Sequence, residues 1–255
     1  MRLVAIIFVF SLVMGSDSIA QTGPQDDYTL VWSDEFSGTG SPNSTLWFHQ
    51  TQLPAGGNWF NGEQQHYTNR QSNSSVGNGV LKITARKEIF TDQGQTKQYT
   101  SARLNSKFAF TYGRVDVRAK LPTGAGTWPA IWMLGQNIKE PGGFFSSQFG
   151  TIDWPACGEI DIMEHWGNNP NVIHTSIHTP SSFGNTINTQ TQRLSAVSST
   201  FNVYSMIWDE NKIDFLINDA IVYSYNPTIK NSATWPFSKP QYLLLNVAMG
   251  GVGGA

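Results

Sequence analysis

GRVDVRAKLP, residues 113–122, alternates without a slip: Val115, Val117, Ala119 and Leu121 fall on one side, Arg114, Asp116, Arg118 and Lys120 on the other. Successive side chains of a strand point to opposite faces, so this period of two predicts a strand with one face in a core and one in water. Neighbouring stretches repeat the signal. GVLKITAR (79–86) sets Val80, Lys82 and Thr84 against Leu81, Ile83 and Ala85. KIDFLINDAIVYSY (212–225) predicts a hairpin, because Asn218-Asp219 can take the positive φ of a tight turn. QYLLLNVAMGG (241–251) is apolar on both faces, as a central strand covered on each side would be. No stretch sustains a helical period, and clusters of Gly, Pro, Asn and Ser punctuate the runs. There is no internal repeat and no interdomain linker, so the expectation is one all-β domain, an antiparallel β-sandwich.

The first twenty residues stand apart. MRLVAIIFVFSLVMGSDSIA has Arg2, an apolar run from Leu3 to Met14 and then Ser18-Ile19-Ala20, the pattern of a cleaved export signal. The run is too short to span a bilayer as a helix. Residues 1–20 are therefore expected to be a signal peptide, 21–27 a short N-terminal segment and 28–255 the functional domain, secreted or periplasmic and free of the membrane after cleavage. A net charge of −2 with 13% charged residues gives no basic footprint for nucleic acid. Cys157 is the only cysteine, so no intrachain disulfide forms and stability must come from the core. Nine Trp, eight Tyr and fifteen Phe exceed what that core requires. From Gln136 to Pro155 the chain is rich in Gly, Phe, Ser and Trp without alternation, and loops that long are usually functional. Its Phe144, Phe145, Phe149 and Trp154 are expected to edge a cleft.

The chemistry concentrates in CGEIDIMEHWG, Cys157 to Gly167. In a regular strand Glu159 and Asp161 share a face and Glu164 points the other way. A one-residue β-bulge at Ile162-Met163 returns Glu164 to the face of the other two acids. The glutamates then stand four effective positions apart, roughly 13 Å between Cα atoms at about 3.3 Å per residue. Side chains leaning inward bring the carboxyls to about 5–6 Å, the spacing of a retaining glycosidase. Three such carboxylates cannot all ionise freely, so at least one must titrate high, as an acid beside an ionised nucleophile requires. A calcium loop also spaces acids by two, but favours Gly and polar residues between them rather than Ile160, Ile162 and Met163. An incidental polar strand face is the third reading.

GEIDIMEHWG resembles the active-site motif of glycoside hydrolase family 16 in its bulged E-x-D-x-x-E form. WSDEF (32–36), WFNGEQQHYT (59–68), GTWPAIWMLG (126–135) and YLLLNVAMGG (242–251) resemble the family's other landmarks, in the expected order over nearly the whole domain. The likeness is greatest to bacterial laminarinases, which are endo-β-1,3-glucanases. It implies a β-jelly-roll sandwich with an open substrate cleft on its concave face, acting as a monomer on polysaccharide. By the motif, Glu159 matches the nucleophile, Glu164 the acid/base and Asp161 the residue assisting the nucleophile. Asn61, Arg103 and His178 resemble the polar groups lining the subsites. Trp128 and Trp132, four apart on one strand face, would offer flat surfaces to sugar rings, with one of the two mainly structural.

Catalysis of this kind needs no cofactor. Family members often hold a structural calcium, for which Glu35 matches one ligand and the Gly79 carbonyl a second. The resemblance also implies one last C-terminal strand beyond AMGGVGGA, so the domain is expected to lack it. His174 and His178 have an i, i+4 spacing, but on a strand their Cα atoms lie about 13 Å apart, too far for one zinc. Two functions compete with β-1,3-glucan hydrolysis: the same chemistry on mixed-linkage glucan or on algal galactans such as agar and carrageenan, and a non-catalytic glucan-binding role.

Overall fold

A computed structural model describes residues 4–6 and 28–254. The stretch expected to be a signal peptide and the 21–27 segment therefore lie outside the described residues, Val4–Ile6 excepted. The chain is a β-sandwich. One sheet has seven strands, in the order Thr189–Arg193, Val172–His178, Glu159–His165, Thr127–Gly135, Gln241–Met249, Arg103–Phe110 and Trp47–His49, each antiparallel to its neighbours. The second has six, running Ala220–Tyr225, Ile213–Ile217, Asn202–Trp208, Gly113–Ala119, Val4–Ile6 and Thr29–Leu30, the last three in parallel pairings. A three-stranded sheet and a two-stranded sheet complete the fold. The helical elements are single turns, as the lack of helical period predicts.

The alternation read in 113–122 is the reason the layers hold together. Val115 and Val117 are buried, and Leu121 follows them into the core. They meet Ile131, Met133, Ile160, Ile162, Met163, Ile177, Leu243 and Leu245 of the seven-stranded sheet in one cluster. Burying each such aliphatic side chain contributes about 1.5–3 kcal/mol. Asp116 departs from the expectation of a solvated face: it is buried, accepting hydrogen bonds from Ser205 Oγ (2.6 Å) and Arg114 Nε (2.9 Å). A carboxylate on the outer face is covered here by Ser205 across the strand pair and by Arg114 on its own strand. The 218–219 turn has φ of 50° and 65°, which joins Ile213–Ile217 to Ala220–Tyr225 as a tight hairpin. Gln241–Met249 is buried along nearly its whole length because it lies mid-sheet, between Thr127–Gly135 and Arg103–Phe110.

Glu35 and Gly79 border one cavity of about 600 Å³ between the sheets, lined largely by Val117, Leu121, Ile131, Leu243 and Val247. Calcium takes six to eight oxygens. This lining brings one carboxylate, Glu35, together with Lys82, Arg118 and Lys120. A calcium ion at Glu35 and the Gly79 carbonyl would need backbone carbonyls and water for the rest of its shell.

Candidate active site

The acids stand where the sequence puts them, and the bulge is the reason. Across Thr127–Gly135, Leu134 pairs with Glu159, Trp132 with Asp161 and then Ala130 with Glu164, the register slipping once between Trp132 and Ile131. On the other side Glu159 faces His178, Asp161 faces Ser176 and Glu164 faces His174, with the slip between Asp161 and Glu164. Ile162 and Met163 together occupy one slot, and both side chains sink into the core. Just before the strand stands Gly158, whose φ of +77° and close approach to Phe237, 2.7 Å from where a Cβ would sit, exclude a side chain.

Each glutamate is held by an indole. Trp154 Nε1 donates to Glu159 Oε2 at 2.9 Å, and Trp128 Nε1 donates to Glu164 Oε1 at 2.8 Å. Asp161 is buried between them, with His178 Nε2 at 3.1 Å from its Oδ2 and 3.8 Å from Glu159 Oε1. Burial pushes the carboxyls of Glu159, Asp161 and Glu164 up, and Asp161 as a neighbouring charge pushes both glutamates further. All three are raised to about 8, the two glutamates despite their indole bonds, which work the other way.

The other expected site residues divide. Trp132 lies on the acid side of the sheet with its Nε1 donating to Asn246 Oδ1 at 2.7 Å. Trp128 is backed by Gly253, whose Cβ would come within 2.5 Å of the ring. Asn61 is exposed in the turn Phe60–Gly62, with φ of 57°. His178 belongs to the acid cluster itself, not to an open subsite wall, because its pairing with Glu159 draws it over the acids. Arg103 is likewise not an open sugar contact. It is 4% exposed, pairs with Glu140 at 2.8 Å and has Trp132 and Trp59 on its flanks.

That pair explains the long segment. Glu140 plants the 136–155 excursion on the sheet, and Phe145 packs with Tyr242 and Leu244 in a satellite core. Of the four aromatics expected at the cleft, Trp154 reaches the acids, Phe145 is buried, and Phe144 and Phe149 lie against Phe145. Removing Glu140 would strand a buried guanidinium. Glu140→Ala is expected to cost about 3–5 kcal/mol, read as a lower urea midpoint at unchanged m. Arg103→Met combined with Glu140→Leu should lose less than either single change.

Sequence reasoning passed over Glu63, which accepts from Gln65 Nε2 (2.6 Å) and Tyr67 Oη (2.9 Å). Asn246 Nδ2 donates to that Tyr67 oxygen at 3.1 Å, so the chain of bonds runs from Glu63 to Trp132. Its signal was present: an acid amid the aromatic residues of WFNGEQQHYT.

Comparison with known proteins agrees with this geometry. The pattern of the glycosyl hydrolases family 16 matches residues 61–254. The chain is 48% identical to a crystallised LamA variant from Z. galactanivorans, solved with laminaritriose and laminaritetraose; the match covers 89% of this chain and 91% of that one, with a TM-score of 0.82. It is 36% identical to a β-glucanase of Rhodothermus marinus, over 97% of this chain and 85% of that protein. It is also 36% identical to a keratan-sulfate endo-1,4-β-galactosidase of Sphingobacterium multivorum, over 92% of this chain but 52% of that protein. The chain belongs to glycoside hydrolase family 16 and is a glycoside hydrolase.

Proposed function

We propose that this hydrolase is an exported, retaining endo-β-1,3-glucanase. The observation that carries the reading is the bulge: it sets Glu159 and Glu164 on one face, flanking Asp161, with an indole N–H on each glutamate. Likeness to a protein crystallised with laminari-oligosaccharides supports β-1,3-glucan as substrate.

Glu159 is the nucleophile. Burial raises it to about 8, as it does Asp161 and Glu164, so the three acids share protons; the Trp154 N–H on one oxygen and His178 3.8 Å from the other favour the charged form at Glu159. Glu164, its carboxyl pushed up by burial and by Asp161, holds the shared proton and gives it to the departing glycosidic oxygen as Glu159 bonds to the anomeric carbon. In the second half Glu164, now ionised, takes a proton from water, which displaces Glu159. Trp128 and Trp132 flank these groups as apolar surfaces for sugar rings, their N–H groups already spent on Glu164 and Asn246.

The test is release of reducing ends from laminarin, lichenan, agarose and carrageenan side by side, with proton NMR of the first product. Laminarin cleaved fastest, with the β-anomer appearing first, is the expected result. Preference for a galactan would transfer the same chemistry to another glycan, and an α-anomer first would mean inversion. No cleavage of any of the four would sink the reading.

A further inference from the structure

We propose that Glu159, Asp161 and His178 form an inhibitory site for zinc, bound where the reacting sugar would otherwise sit. One ligand atom from each of Glu159, Asp161 and His178 lies within 4.8 Å of the other two. Bonds of about 2.0–2.1 Å to a tetrahedral ion place neighbouring ligand atoms about 3.3 Å apart. The imidazole nitrogen is 3.1 Å from Asp161 and 3.8 Å from Glu159, which brackets that edge.

The groups also face a common space. Asp161 Oδ2 is buried and accepts no hydrogen bond, although Nε2 is near: the two atoms are close without being aligned as donor and acceptor. Trp154 occupies Glu159 Oε2 and leaves Oε1 to the cluster. Two carboxylates and one imidazole match a small divalent ion that accepts nitrogen, and three donors are too few for calcium. The fourth position remains for water. This set differs from the pair His174 and His178, which the strand separates: they face Glu164 and Glu159 respectively.

A bound ion would tie up the attacking oxygen of Glu159, so zinc should compete with substrate. The inhibition half of the proposal rests on the role given to Glu159; the binding half does not. Isothermal titration of the full chain with zinc alone should show one site, and cobalt(II) should give the intense visible bands of a four-coordinate ion. His178→Gln should weaken zinc at least tenfold and abolish those bands, with Asp161→Asn as a second removal should that variant not fold. His174→Gln should leave zinc affinity unchanged. With laminarin, zinc should raise KM at constant kcat, a chelator should reverse it, and magnesium at the same concentration should do nothing. Zinc binding equal in wild type, His178→Gln and Asp161→Asn, no binding at all, or inhibition insensitive to laminarin would overturn the proposal. Failure to cleave laminarin without zinc would instead strike the functional reading, leaving the calorimetry to stand alone.

Discussion

Glu159→Ala is expected to lose hydrolysis of β-1,3-glucan by at least roughly 10⁴-fold, the scale on which removing a nucleophile from a catalytic unit falls. Without the carboxylate no covalent glycosyl-enzyme forms, and the space it leaves does not replace its charge. The same variant should gain a synthetic activity. An α-glycosyl fluoride presents the anomeric configuration of the missing intermediate; its C–F bond breaks, an acceptor sugar hydroxyl attacks, and Glu164 takes the hydroxyl proton. Thin-layer or mass analysis should show chains lengthened by one donor unit and not cut back. Hydrolysis within tenfold of wild type would remove Glu159 from its role.

Glu164→Ala separates the two half-reactions. Natural glucan has a poor leaving group, so its cleavage should fall about 10²–10⁴-fold, the usual worth of a positioned acid. An aryl glycoside with an acidic phenol needs no such proton: it should release one phenol per enzyme rapidly and then turn over slowly. Azide, which needs no general base, should restore turnover and yield a β-glycosyl azide, whereas a purely structural Glu164 would give no azide product. The pH profile supplies the sign. Burial lifts the wild-type carboxyl to about 8, so the acid is present below that pH and lost above it. Wild-type activity on glucan should decline through pH 8, and aryl-glycoside cleavage by Glu164→Ala should lack that decline.

The parts of this site that follow a local period were legible in the sequence. The sandwich came from the alternation in 113–122 and the two-faced apolar run in 241–251, and the bulge from one acid of three falling out of phase in one strand. What escaped depends on register between distant segments. Nothing near Arg103 in sequence announces Glu140, thirty-seven residues away, and a surface arginine and a buried one look alike in a strand. His178 carries no sign that its cross-strand partner is Glu159. The bond from Asn246 to Tyr67 spans 179 residues, so only the folded sheet reveals it. Strand direction is written in neighbours; strand company is not.

The slip at Ile162 also inverts the usual rule about insertions and deletions. In most strands, losing one residue changes odd for even and turns every later side chain inside out. Here the strand is already one residue long. Without Ile162 the sequence reads Glu-Ile-Asp-Met-Glu-His, and its acids fall on every second position with the apolar residues between them. The shortened strand would keep Glu164 beside Asp161 by simple counting, at the cost of one buried isoleucine, about 2–5 kcal/mol for the lost packing. A frame-preserving deletion in the middle of the catalytic strand should therefore leave more activity than exchanging either glutamate.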